Sequence, residues 1–132
     1  MNKNKTYEFI SQRLVRHKHL NPYGFLFGGE MLSWLDEAGA VYVINKIKYE
    51  TIVTVAMDHV VFKNPAKPGS IIKFYAYIDR MGSSSVTVKL KAVSEDAVSE
   101  KSLLIIECDV TYVCLDDKGK PFARFTGNSI KL

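Results

Sequence analysis

Between residues 21 and 44 the chain reads NPYGFLFGGEMLSWLDEAGAVYVI. From Met31 onward, Met31, Leu32, Trp34, Leu35, Ala38, Ala40, Val41, Tyr42, Val43 and Ile44 leave only Ser33, Asp36 and Glu37 polar. No wide solvated face remains, so the pattern predicts a helix buried in a core, ended by the polar KIKYE that follows. A membrane span needs about 20 mostly apolar residues, and charge interrupts this run too early. Upstream, residues 7–16 alternate weakly and are rich in strand formers, which predicts a first strand. Downstream, residues 51–63, TIVTVAMDHVVFK, are β-branched enough for a long second strand. Asn64-Pro65-Ala66-Lys67-Pro68-Gly69 is a turn by composition. A third strand follows, with Ile72, Phe74, Ala76 and Ile78 on one face against Lys73, Tyr75, Tyr77 and Asp79 on the other. After a turn at residues 82–84, Val86, Val88, Leu90 and Ala92 alternate with Ser85, Thr87, Lys89 and Lys91 as in a half-buried strand. A turn over residues 95–99 leads to residues 103–115, which are apolar on both sides except Glu107, Asp109 and Thr111, as in a doubly covered strand. Residues 117–121 end it, and the tail over 122–132 carries no clear pattern.

The order is therefore strand, buried helix, then four strands, the last three joined by short turns as an antiparallel meander. This predicts an α+β fold in which one long helix is wrapped by a curved antiparallel sheet of about five strands, forming a single domain over residues 1–132. Such a sheet leaves tyrosine, valine and leucine side chains on outer or edge positions, and self-association would cover them.

Candidate chemistry sits in the same stretch. Gly28 and Gly29 open the helix, where several N–H groups lack an intrahelical partner, so a carbonyl oxygen gaining negative charge could be held there. Asp36 follows Gly29 by seven residues, which at ~1.5 Å per residue separates them by about 10 Å. That reach is long for one carbonyl, so the two groups are expected to complete a site only with a second copy of the chain. Taken singly, a Gly-Gly pair is ordinary turn chemistry and a lone Asp is ordinarily solvated. The net charge of +4 favours an anionic partner, but the lysines are scattered and no aromatic-basic signature of nucleic-acid binding is present. Cys108 and Cys114, six apart on one strand, share a face yet lie about 20 Å apart and are read as reduced core residues. The start MNKNKTYEF lacks the apolar core of a secretory signal, which predicts a cytoplasmic location. His17 and His19 read as a solvated pair at a strand end. His59 shares a face with Val55, Met57 and Val61 and reads as a hydrogen-bonded core or interface histidine. No other metal-type ligands fall at suitable spacing, so no metal site is predicted.

Asn21-x-x-Gly24-x-x-x-Gly28-Gly29, continuing Met31-Leu32-x-Trp34-Leu35-Asp36-x-Ala38-Gly39, then Val53-Thr54-Val55-Ala56-Met57-Asp58, Phe62-x-x-Pro65-x-x-x-Gly69 and Gly82-Ser83-Ser84-Ser85, form an ordered set. Together they resemble the hotdog-fold acyl-CoA thioesterases of the bacterial YciA and cytosolic acyl-CoA hydrolase type, over about residues 7–115. The resemblance implies that the helix is enclosed by the sheet, that two sheets join edge to edge with active sites between protomers, and that such dimers assemble further into hexamers. It implies that Asn21, with the N–H groups of Gly28 and Gly29, holds the thioester carbonyl, and that Asp36 of the facing protomer acts as general base or attacking carboxylate. For the CoA phosphates it points to Arg80, Gly82, Ser83 and Ser84, with Lys63 or Lys67. Here the chain departs from the family, having Ser83 where many members carry a basic residue. Ser70 likewise stands where an acidic residue is common. The implied substrate is acyl-CoA, with no cofactor, nucleic acid or membrane partner. No Gly-x-Ser-x-Gly elbow is present, and none is required, because a thioester already carries a good leaving group. Two other readings are a non-catalytic acyl-CoA-binding hotdog domain and a hotdog dehydratase, the latter needing a histidine in the active loop.

Overall fold

The computed structural model describes residues 5–96 and 98–125. Ala97, in the turn expected over 95–99, and residues 126–132 of the tail lie outside the described residues. The elements are β1 (Glu8–Leu14), α1 (Gly28–Ile47), β2 (Ile52–Phe62), β3 (Ile71–Met81), β4 (Ser85–Glu95) and β5 (Ser102–Cys114), with a short 3-10 turn over His17–His19. The helix runs three residues past the apolar stretch because Ile47 is buried; Lys48, in the left-handed conformation at φ 57°, then closes it by donating its N–H to Ile44 O.

The five strands form one antiparallel sheet in the order β1-β3-β4-β5-β2. The predicted meander β3-β4-β5 forms its centre. β2 crosses over to pair with β5 and becomes an edge, as β1 does on the other side. Burial selects one helix face: Met31, Trp34, Leu35, Ala38, Gly39, Tyr42, Val43 and Ile47 recur every three or four residues, as one stripe of a 3.6-residue period must. They pack on Phe74 and Ala76 of β3, Val88 and Leu90 of β4, and Cys108, Val110 and Tyr112 of β5. The opposite helix side, with Ser33, Glu37 and Val41, is open in a single chain. On the outer sheet face the tyrosines cover one another: Tyr7 meets Tyr77 edge-on at 4.9 Å, and Lys91 Nζ lies 4.4 Å from the Tyr7 ring. Lys89 Nζ pairs there with the buried Asp109 at 3.1 Å.

Two histidines depart in part from expectation: His19 is not solvated, and His59, hydrogen-bonded as expected, is not in the core. His59 lies where the β2–β5 register shifts, has φ 55°, and is exposed. The bulge turns it off the strand's regular alternation, and its Nδ1 lies 3.0 Å from Asp109 Oδ2, so it is hydrogen-bonded but not in the core. His17 is solvated as expected, whereas His19 is buried. Loop folding, invisible to strand periodicity, draws it inward.

Leu35 is 0% exposed in the middle of the helix stripe. Leu35→Ala should lower the unfolding free energy by about 3 kcal/mol through lost burial and a cavity. Val98→Ala, at a side chain 94% exposed, should stay within about 0.5 kcal/mol. Denaturant unfolding at fixed protein concentration measures both.

Candidate active site

The loop before α1 is built by Asn21. Its Oδ1 accepts the N–H groups of Tyr23 at 2.9 Å and Phe25 at 3.1 Å, while its own N–H donates to Phe25 O at 2.7 Å. Gly24, at φ 88°, supplies the turn that a side chain would strain. Leu26 is thereby buried and Phe27 N–H donates to His19 O, while the Phe27 side chain itself stays 54% exposed. With Oδ1 committed to the loop, the Asn21 side-chain NH2 is left to donate elsewhere. His19 stands edge-on to Trp34 with ring centres 4.8 Å apart, and its Nδ1 accepts Arg16 N–H at 3.0 Å. Burial holds its pKa below the usual histidine value, so it sits in this cage neutral.

The first helical hydrogen bond is Met31 N–H to Phe27 O at 3.0 Å. The N–H groups of Gly28, Gly29 and Glu30 precede it, and no side chain caps them. They open beside a pocket of about 350 Å³ whose walls include Asn21, Leu26, Gly28, Met31, Phe62 and Lys63. A methyl group added at Gly28 would rest against the Phe62 ring at 3.4 Å, an ordinary van der Waals contact. Donors at the mouth and apolar side chains below suit a carbonyl carrying a hydrocarbon tail. No histidine lines this pocket.

Asp36 lies elsewhere. Two turns along α1, it is not among the residues lining that pocket, and its carboxylate Oδ1 accepts a hydrogen bond from Thr54 Oγ1 of β2 at 2.7 Å. Its backbone carbonyl accepts the hydroxyl of Tyr112 of β5 at 2.8 Å. Burial pushes the neighbouring Cys108 thiol up to about 12, which makes it inert rather than nucleophilic. Among the described residues no three His, Cys, Asp or Glu side chains converge as metal ligands, and no helix is long and apolar enough to cross a membrane.

The residues named for CoA fall into two groups. Lys63 and Lys67 are exposed in the β2–β3 connection, Lys63 at the pocket beside the helix start. Arg80, Gly82, Ser83 and Ser84 form the end of the β3–β4 hairpin. Residues 71–79 of β3 lie between the groups, about 30 Å at the usual rise per residue. One chain therefore cannot close both groups on one phosphate. The hairpin lies instead by the start of β2: Ser84 O accepts Cys114 N–H at 2.8 Å, and the next residue, Leu115, donates to Thr51 O at 2.9 Å. Arg80 is exposed, with Nη1 3.4 Å from Asp79 Oδ2.

Two hydroxyls on Asp36 were not picked out from sequence. Thr54 carried a signal, standing in the Val53–Asp58 stretch of the family likeness. Tyr112 carried none, because its contact spans 76 residues.

The sequence profile of the Thioesterase superfamily matches residues 23–101. The match spans more than half of the chain, which belongs to that superfamily. The chain is 31% identical over 101 residues to YkhA of Bacillus subtilis, an uncharacterized acyl-CoA thioester hydrolase, a stretch that covers 76% of this chain and 58% of YkhA. A hexameric hotdog-fold thioesterase of Campylobacter jejuni superposes with a TM-score of 0.80 at 31% identity, covering 88% of this chain and 89% of that one. An acyl-CoA hydrolase of Staphylococcus aureus, solved in complex with butyryl coenzyme A, coenzyme A and coenzyme A disulfide, gives 0.79 at 30% identity, covering 90% and 70%. The fold is the hotdog fold.

The caged His19 makes the loop acid-sensitive. Its folded pKa lies below the unfolded value, so its contribution to stability is present above the unfolded pKa and lost as pH falls through the folded one. Thermal midpoints followed from about pH 7.5 to 5 should fall further in the wild type than in His19→Asn, which keeps an acceptor but cannot titrate there.

Proposed function

We propose that the chain hydrolyses acyl-CoA thioesters to free CoA and a carboxylic acid, in sites shared between two protomers. One observation carries this reading: the Asp36 carboxylate is held at the start of edge strand β2 by Thr54, whereas the helix-start donors open beside Phe62 at the end of that strand. Two β2 edges paired antiparallel about a two-fold axis bring the start of one against the end of the other. Asp36 of one protomer then approaches the helix start of its partner, and the Arg80–Ser84 hairpin of one approaches Lys63 of the other. The pairing covers Val55 and Phe62, which are 56% and 51% exposed in the single chain. The hexameric assembly of the Campylobacter jejuni neighbour supports a further step from dimer to hexamer.

In this arrangement the thioester carbonyl accepts hydrogen bonds from the N–H groups of Gly28 and Gly29 and from the Asn21 side-chain amide, with the acyl chain on Leu26, Met31 and Phe62. Ionised Asp36 takes a proton from water as its oxygen attacks the carbonyl carbon. Negative charge grows on the carbonyl oxygen against donors that need no reorganisation. The C–S bond breaks and CoA departs as thiolate, which takes up the proton. Direct attack by the carboxylate would need the same ionised group. No step calls for a cofactor. The chain acts as one domain over residues 1–132, and its buried free thiols, Cys108 and Cys114, support a reducing, cytoplasmic setting. A dehydratase would need a histidine at the pocket, but His19 is caged under Trp34. A mere binding module would have no use for an oriented carboxylate.

Asp36→Asn should lower butyryl-CoA turnover ~10²- to 10⁴-fold. Asn21→Asp preserves the oxygen that organises the loop but replaces the amide donor by a carboxylate oxygen, so kcat should fall without unfolding. Mixing the two variants should recover activity, since some mixed dimers contain one intact site; near-wild-type turnover by Asp36→Asn alone would overturn the assignment.

Arg80→Ala should raise KM more than it lowers kcat, because phosphate contacts stabilise bound substrate and transition state alike. An unchanged KM would remove Arg80 from the CoA site.

A further inference from the structure

We propose that Tyr112 is a positioning residue: its hydroxyl, admitted by the missing side chain at Gly39, locks the helix turn that carries Asp36 against β5 and fixes where the carboxylate is presented. The proposal rests on the reading of Asp36 as the general base. Thr54 and Tyr112 are direct partners in the β2–β5 register, and both reach Asp36. Thr54 Oγ1 donates to the carboxylate at 2.7 Å and Tyr112 OH to the main-chain carbonyl at 2.8 Å. One cross-strand pair thus holds the same residue at two atoms, one from each strand.

The approach depends on a bare stretch of helix. A methyl group at Gly39, three residues beyond Asp36, would overlap the Tyr112 hydroxyl and lie 2.9 Å from Leu90 Cδ1 and 3.4 Å from Tyr112 Cζ. Tyr112 is 1% exposed and cannot swing aside. Glycine inside a helix costs about 1 kcal/mol relative to alanine, so helix propensity gives no reason for it here; the close approach does. A helical carbonyl already receives an N–H from four residues on, so Asp36 O does not need the hydroxyl for its own satisfaction. Burial, with the Asp36 charge beside it, raises the Tyr112 pKa well above the usual phenol value, and the hydroxyl stays a donor at any working pH.

Tyr112→Phe removes only the hydroxyl and keeps the ring in the core. On the assembled protein with butyryl-CoA, kcat should fall about tenfold while KM stays within about twofold, since small misplacements of a catalytic group slow chemistry by up to ~10²-fold. The thermal midpoint should move by only a few degrees, as for one neutral hydrogen bond of about 1 kcal/mol. Gly39→Ala should cost on the order of 10²-fold in kcat. Adding Tyr112→Phe to it removes the hydroxyl overlap but leaves the 2.9 Å approach to Leu90 Cδ1, so kcat should rise above that of Gly39→Ala toward the level of Tyr112→Phe alone. Wild-type kcat in Tyr112→Phe beside an inactive Asp36→Asn would overturn the lock and leave the general base standing. Near-wild-type turnover by Asp36→Asn would overturn both. A Tyr112→Phe loss fully accounted for by unfolded or disassembled protein would make the hydroxyl merely structural and overturn the proposal. If Gly39→Ala does not fold, Tyr112→Phe decides alone.

Discussion

An apolar helix laid across a single sheet can bury only one of its faces, and the remainder of this structure follows from how that face is seated. The stripe from Met31 to Ile47 packs on the concave side of β3, β4 and β5, and the close approach at Gly39 sets the helix depth where Asp36 is carried. Because neighbouring turns of the helix share that seat, the donors at Gly28 and the carboxylate at Asp36 are fixed relative to one another. Their separation along the axis cannot be relieved by local flexing. A site that uses both must find the second one on another chain.

The crossover of β2 makes this arrangement workable. By leaving its sequence neighbours and pairing with β5, β2 becomes an edge with unpaired backbone groups and exposed apolar side chains, a template for another strand. The same strand holds Thr54 against Asp36 near its start and Phe62 against Gly28 near its end. In the proposed dimer, pairing and chemistry therefore rest on one element.

The groups packed around Asp36 and its loop are kept uncharged by burial. Burial lowers the His19 pKa and raises those of Cys108 and Tyr112, with the Asp36 charge adding to the last two. Asp36 is only partly buried, and its carboxylate accepts the Thr54 hydroxyl.

The hydrophobic pattern by itself determined the elements, the meander and the core-facing residues Ile72, Phe74, Ala76, Val86, Val88, Leu90 and Ala92, because periodicity records which side of a local element meets the core. The ordered glycine, asparagine and aspartate motifs likewise made the family legible, since turns and helix starts are local chemistry. What the sequence could not determine was long-range: the placement of β2 beside β5, the inward turn of His19, the bulge that exposes His59, the two separate ends of the sheet to which Lys63 and Arg80 belong, and the meeting of Tyr112 with Asp36. Each depends on which surfaces fit together once the helix is seated, and such contacts between residues 50 to 76 apart leave no period for a sequence to show.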